Sequence, residues 1–379
     1  MCFARWPWLA VLPAALLLAA GAARAAEPEA AAPPQTDDPA VRRLAEEVRD
    51  KGWIVFAART GEGDWDLFLC RPDGSDVRDI TRTPRWNEGY ALFSRDGRRL
   101  LFRRIGRDES FDGNRHGAQG RLVLADADGA NPQVFGGEGE FPWASWSPDG
   151  KELACLSADG IFLVDVATKA VRRTIDRLGF FQQITWSPDG RSLSGVANSF
   201  GTNWSVARLD LAAGRASAVH VGDSCTPDWF PDGRRMIFSH KPAGQAANNG
   251  YGWTQLWMAD ADGTNRRFLY GEDGRHVYGG HVSPDSRYIL FTGNAAEDGD
   301  AGSAGSPMAL VRLADTPIVG GADGDIRRLH PDAGRGPVLV LPVGWEPCWT
   351  GADLSAGDSS GRRAADGPAP EAPAPEETP

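Results

Sequence analysis

The residues Ser147-Pro148-Asp149-Gly150 return as Ser187-Pro188-Asp189-Gly190 and, in looser form, as Ser94-Arg95-Asp96-Gly97, Phe230-Pro231-Asp232-Gly233 and Ser283-Pro284-Asp285-Ser286. Each copy follows an aromatic or apolar residue (Phe93, Trp146, Trp186, Trp229, Val282) and precedes a basic residue and an apolar run such as Leu100-Leu101-Phe102. Proline presets φ and glycine tolerates φ > 0, so each copy reads as strand, tight turn, strand. The turn aspartates lie 53, 40, 43 and 53 residues apart. The shorter spacings match the roughly 40 to 45 residues of a propeller blade.

Three further strand-like runs separate successive turns. After Asp149 they are Leu153 to Leu156, Ile161 to Val164 and Val171 to Ile175. With the strand before the turn they make four, called A to D, the complement of one blade. A strands end at Ser94, Ser147, Ser187, Phe230 and Ser283, and a sixth, Trp345-Glu346-Pro347-Cys348-Trp349-Thr350, has no Asp-Gly turn behind it. At the other end of the chain Trp53 to Arg59 reads as B, Asp66 to Cys70 as C and Val77 to Thr81 as D, with no A before them. The expected fold is therefore all-β, a six-bladed β-propeller over residues 51–350 whose C-terminal strand closes the N-terminal blade. Closure removes the exposed strand edges of an open stack.

The Trp-Ser-Pro-Asp-Gly-Arg/Lys pattern, with Pro-x-Trp at Pro227-Asp228-Trp229 and Pro347-Cys348-Trp349, resembles the WD40-like (PD40) repeats of TolB-type six-bladed propellers. The resemblance covers residues 53 to 350 and implies the fold far more strongly than a function. TolB proteins also carry an N-terminal α/β domain that works with other Tol proteins. Residues 26–50 are too few to make one, so a Tol-system role is not implied.

Residues 1–25 read as a signal peptide: Arg5, an apolar run from Trp6 to Ala20, and Ala23-Arg24-Ala25 as the cleavage site. The run is shorter than the roughly 20 residues a spanning helix needs. The reading is a periplasmic or secreted protein, cleaved near Ala25, with no membrane span. Residues 26–50 hold an Ala/Pro/Glu linker and a short helix in which Asp38 caps, Pro39 opens, and Val41, Leu44 and Val48 form a stripe. Arg42 and Arg43 face Glu46 and Glu47 at i,i+4 on it. Residues 351–379, poor in apolar side chains, read as a disordered tail.

Forty Lys and Arg against 51 Asp and Glu give a formal charge of −11, which argues against nucleic acid as a partner. Cys70, Cys155, Cys225 and Cys348 follow the signal. Cys70 and Cys348 fall on strands C and A of the closing blade, two spacings of about 4.8 Å apart and beyond disulfide reach. Free, buried thiols are expected.

Short turns join A to B and C to D, whereas the B-to-C and D-to-A loops lie on the opposite face and include all the long insertions: Ile105 to Gly120, Ala197 to Trp204, Lys241 to Trp253 and Gly293 to Pro307. Elaboration of one face marks a binding surface. That face gathers Trp86, Glu88, Glu140, Asn198, Trp204, Trp253, Tyr278, Trp345 and Glu346, aromatic rings beside amides and carboxylates that suit a protein, peptide or glycan. Trp146, Trp186, Trp229 and Trp349 repeat at one position and read as inter-blade core. Gly357-Asp358-Ser359-Ser360-Gly361 fits a nucleophile elbow only formally, with no strand before it or helix after it. The favoured reading is a monomeric, non-catalytic binding or scaffolding propeller without cofactor. The alternative is a metal-dependent polysaccharide (uronate) lyase or hydrolase in which His240, His276 and His281 converge on a divalent metal near the channel mouth.

Overall fold

The computed structural model describes residues 37–109, 120–202, 204–241, 254–271, 275–295, 307–315 and 336–355. The signal segment and most of both terminal stretches lie outside the described residues. In the repeated turn the serine hydroxyl bonds twice: Ser147 Oγ donates to Asp149 Oδ1 at 2.8 Å and accepts from the Glu152 amide at 2.9 Å. Asp149 Oδ1 also accepts from the Lys151 amide at 3.1 Å. The same bonds recur around Ser94, Ser187 and Ser283. In the copy that starts with Phe230, the Arg235 guanidinium lies 2.8 Å from Asp232 instead. Gly97, Gly150, Gly190 and Gly233 take φ between 67° and 73°, and in the remaining copy Ser286 is forced to φ 61°, a left-handed conformation that a non-glycine residue adopts at a cost.

Each turn launches one blade. Blade one contains β1 (Trp53–Arg59), β2 (Trp65–Cys70) and β3 (Arg78–Asp79). Blade two is β4 (Trp86–Phe93), β5 (Arg99–Gly106), β6 (Arg121–Asp126) and β7 (Gln133–Phe135). Blade three follows as β8 (Trp143–Trp146), β9 (Glu152–Leu156), β10 (Ile161–Asp165) and β11 (Val171–Ile175). Blade four is β12 (Phe180–Trp186), β13 (Ser192–Ala197), β14 (Ser205–Asp210) and β15 (Arg215–His220). Blade five is β16 (Ser224–Trp229), β17 (Arg235–His240), β18 (Gln255–Asp260) and β19 (Arg267–Tyr270). Blade six is β20 (Arg275–Val282), β21 (Tyr288–Ala295), β22 (Pro307–Arg312) and β23 (Leu339–Val343). The last strand, β24 (Trp345–Thr350), returns to pair with β1, giving six four-stranded antiparallel sheets in a ring. The pairing sets Trp53 opposite Thr350, Ile54 opposite Trp349 and Val55 opposite Cys348. Residues just after β24 also return to blade one, where Arg78 donates to the Leu354 carbonyl at 3.0 Å and Arg71 to Ser355 Oγ at 2.8 Å. The chain order thus places part of the expected tail against the ring.

One connection departs from the one-sided pattern read in the sequence. In blade six the C strand ends at Arg312 and the D strand begins only at Leu339, and residues 316–335 between them lie outside the described residues. The sequence ran strand-like residues and Gly-rich stretches together there and hid the position of β23.

The helix α1 (Pro39–Val48) starts where Asp38 accepts from the Ala40 amide at 2.7 Å. Leu44 and Val48 are fully buried against Ile54 and Phe56 of blade one, Tyr288, Leu290, Met308 and Leu310 of blade six, and Trp349. The helix therefore covers the seam at which the ring closes. Glu47 does not pair along its own helix. It accepts from Arg312 and Arg287, each at 2.9 Å, and from the Tyr288 hydroxyl, and these bonds hold its carboxyl below the usual range. Lys51 adds an ion pair to Asp285 at 3.0 Å. Cys70, Cys155, Cys225 and Cys348 are unpaired, and no described helix is long and apolar enough to cross a membrane.

Leu44→Ala should cost about 2 to 5 kcal/mol in denaturant unfolding, because it opens a cavity at the seam. An unchanged midpoint would mean that the helix takes no part in closure.

Candidate functional site

The six A strands line a central channel, and five of them carry the same local distortion. Tyr90, Gln183, Thr226, Gly279 and Glu346 have φ of 57°, 52°, 48°, 62° and 47°. At each of these places the pairing to strand B slips, between Gly89 and Leu92, Gln182 and Thr185, Cys225 and Asp228, Tyr278 and His281, and Val55 and Ala57. Counted back from the turns, the five residues occupy one repeat position, whose sixth member is Trp143. A bulge adds a residue to one strand and re-aims the side chains around it. Only one of the five is glycine, so four side chains hold a left-handed conformation at roughly 1 to 3 kcal/mol each.

These residues, with Arg103, Asp228 and His281, line a cavity of about 160 Å³. Arg103 is buried and donates to the carbonyls of Phe141, Pro142 and Gly120 at 2.8, 3.0 and 3.0 Å. Burial pushes its guanidinium down to about 10. The Thr226 amide donates to Gln183 Oε1 at 2.6 Å, which ties two neighbouring bulges together. Glu346 is half-buried on the wall, and burial pushes its carboxyl up to about 8. Below this level lies a second cavity of about 310 Å³ at the turn-side mouth, lined by the Ser-Pro turns and by Trp146, Trp186, Trp229 and Trp349.

The residues proposed from sequence for the loop-bearing face separate into distinct environments. Trp204 is 41% exposed, with its ring edge-on to Phe181 at 5.4 Å. Glu140 and Asn198 are also exposed, and Glu140 accepts from the Gly137 amide at 2.6 Å. Trp86 is half-buried under the Arg104 guanidinium, 5.9 Å from its ring. Glu346 faces the channel. Tyr278 and Trp345 are buried in the core, Trp345 packed edge-on against Tyr90 at 5.0 Å and Trp65 at 6.2 Å. Both precede a bulge residue, and the extra residue turns them inward. Trp253 lies outside the described residues.

Glu88 is fully buried, accepting from Thr83 Oγ1 at 2.5 Å and Arg104 Nε at 2.8 Å. Asp66 lies beside it and Asp79 beside Asp66, and burial pushes Glu88 up to about 8, Asp79 up to about 7, and Asp66 upward. This carboxyl group cluster went unseen in the sequence because its members come from β2, β3 and β4, three elements with no common motif.

The histidines are divided as well. His240 stands 4.4 Å from His220, and Ser224 Oγ bridges them, 2.8 Å from His220 Nδ1 and 3.1 Å from His240 Nδ1. His281 instead binds Asp228 at 2.7 Å within the channel. The His276 side chain lies outside the described residues. Among the described residues no group of three or more His, Cys, Asp or Glu side chains is arranged to hold a metal.

No protein-family profile matches the chain. An uncharacterised protein of Agrobacterium fabrum is 32% identical over 110 residues, which cover 28% of this chain and 36% of that protein. The match thus spans about a third of the curated relative's length. The fold is similar to that of TolB from Acinetobacter baumannii, with a TM-score of 0.56 at 15% identity, covering 80% of this chain and 67% of the other. A TolB candidate from Agrobacterium tumefaciens gives 0.52 at 19% identity, covering 78% of this chain and 90% of the other. At these identities the likeness is one of fold, a TolB-like six-bladed propeller.

The Glu346 carboxyl keeps its proton in the fold where the unfolded chain has lost it. Its stabilising contribution is therefore complete below an ordinary value of 4.5, declines as pH rises, and is gone above about 8. Glu346→Gln should flatten the fall in unfolding free energy between those limits by about 1 to 3 kcal/mol, a range reduced for water in the channel. Equal slopes for wild type and variant would remove Glu346 from this role.

Proposed function

We propose that the chain is an exported binding or scaffolding propeller, without turnover chemistry of its own, that presents its loop-bearing face and channel to a protein, peptide or glycan. One observation carries the reading: five A strands hold a left-handed residue at one level, and the side chains there differ in every blade. A ring that served only to pack would need neither the strain nor the variety. Backbone strain retained by an otherwise regular scaffold is characteristic of sites that hold something.

The faces around the channel support this. The B-to-C connections after β5, β13, β17 and β21 run 107–120, 198–204, 241–254 and 296–306, whereas every A-to-B turn is short. Trp204 offers an exposed ring at that face. The likeness in fold to propellers named TolB agrees with a role in binding. Arg5, the apolar run from Trp6 to Ala20 and Ala23-Arg24-Ala25 suit export to the periplasm or beyond, and N-terminal sequencing of the mature protein should begin at Ala26. The protein acts as a monomer and without a resident cofactor in this reading.

Cross-linking and capture from the native envelope fraction identifies the partner, and its affinity then separates site from scaffold. Trp204→Ala should weaken binding by about 1 to 3 kcal/mol with the melting temperature unchanged. Trp146→Ala, buried between blades, should instead cost about 3 to 5 kcal/mol of stability. Equal melting losses in both variants, with no change in affinity for Trp204→Ala, would overturn the proposed face.

A further inference from the structure

One step closer to the turns than the bulges, each A strand places another residue on the channel wall: Leu92, Ser145, Thr185, Asp228, His281 and Cys348, each directly before the aromatic or apolar residue that precedes the turn. All six line the two cavities. In blades five, six and one this level reads Asp, His, Cys. His281 Nδ1 lies 2.7 Å from Asp228 Oδ2, and its Nε2 lies 3.6 Å from Cys348 Sγ. Asp228 Oδ2 also accepts from the Val282 amide at 3.5 Å, which ties the carboxylate to the strand that carries the histidine. Burial alone would push the His281 imidazole down, but the Asp228 carboxylate and the neighbouring Cys348 outweigh it and hold the ring well above 6.5.

The other half of the level is uncharged. Ser145 is 4% exposed, lines the larger cavity, and its Oγ is buried without a hydrogen-bond partner among the described residues. A hydroxyl so placed can donate to an oxygen entering the channel. Cys348 is buried at 5% exposure but lines the larger cavity, which Cys70, Cys155 and Cys225 do not; burial raises the thiols of those three.

We propose that Cys348, His281 and Asp228 form a nucleophilic thiol centre in the channel, open to small uncharged α,β-unsaturated carbonyl compounds. Cys348 Sγ attacks the β-carbon, forming the S–C bond, and the π electrons move through the α-carbon onto the carbonyl oxygen. His281 gives its Nε2 proton to the α-carbon as the carbonyl re-forms, and the thiol proton replaces it on the ring, which ends as it began. Nothing leaves and no oxidant is needed, so the step balances with the two reactants alone. Asp228 is a positioning residue and His281 the proton donor: the carboxylate fixes the ring, and the ring's other nitrogen faces the sulfur, a cationic neighbour of the kind found beside reactive cysteines. The cavity of about 310 Å³ that Cys348 lines admits small molecules, and a charged one would lose its hydration on entering. This site does not depend on the partner-binding role.

Acrylamide is a suitable probe. The full chain is treated with it at neutral pH, and adducts on each cysteine peptide are followed with time by mass spectrometry, Cys225 serving as the internal reference. Cys348 should react at least about tenfold faster than Cys225, and His281→Gln should lower the Cys348 rate by about tenfold while leaving Cys225 unchanged. Asp228→Asn, which keeps the shape of the carboxylate, should give a smaller fall at Cys348. A purely structural role for the histidine would leave the ratio of the two rates unaltered in a folded variant. Equal rates at Cys348 and Cys225 in wild type overturn the proposal, and so does an unchanged Cys348 rate in His281→Gln with a wild-type melting temperature. If His281→Gln fails to fold, the wild-type ratio and Asp228→Asn decide alone.

Discussion

Everything at the channel depends on the pairing of β24 with β1. The two ends of the ordered chain meet there, and without that ladder β1 would present an apolar edge at Trp53 to Phe56, all four residues buried in the closed ring. An open edge of that kind invites pairing with another chain. Closure is reinforced from three sides. Helix α1 packs Leu44 and Val48 over the seam, the Trp349 indole donates to the Lys51 carbonyl at 2.9 Å, and Arg71 and Arg78 place their guanidinium groups 4.1 and 4.0 Å from the Trp53 ring. Two of the groups on which the site rests, Glu346 and Cys348, arrive on the closing strand itself.

Closure also explains how the channel sustains its strain. A left-handed residue on an isolated strand would relax. Here each innermost strand is held by its own blade on one side and by the next blade across the interface, as where Trp146 of blade three donates to the Leu92 carbonyl of blade two at 3.2 Å. Five local distortions can persist because the ring leaves none of them room to relax outward. The result is two levels of channel-facing side chains, one at the bulges and one just beyond them, whose chemistry is free to differ from blade to blade while the turns remain alike.

The fold was legible because it repeats. Ser-Pro-Asp-Gly encodes a turn through its own hydrogen bonds, and five copies with the orphaned strands at Trp53 and Trp345 were enough to predict six blades and their closure. The site was less so. The sequence reads Tyr278 and Trp345 with the loop-bearing face, but each stands directly before a bulge residue and is buried in the core. Nothing in the residues Gly89-Tyr90 or Gln182-Gln183 announces a bulge, since neither left-handed residue is a glycine. Glu47 was matched to its nearest basic neighbours on the helix, whereas the guanidinium groups that bind it lie 240 and 265 residues away. The Asp228, His281 and Cys348 alignment could have been found by stacking the repeats on the residue before each tryptophan or valine. Motif reading favoured the histidines by their proximity to strand ends and so grouped His240 with His281, which the fold assigns to different partners.

Native-state hydrogen exchange of the closing ladder tests the central claim most directly. If β24 and β1 complete a blade as cooperative as the others, the amides they exchange through should open only with global unfolding, at the same free energy as those of β13, a strand buried along its whole length in blade four. Exchange from β24 at a distinctly lower free energy than from β13, with denaturant dependence typical of local opening, would contradict the account: the ring would then be a five-bladed core with a loosely attached sixth, and the channel chemistry could not rest on it.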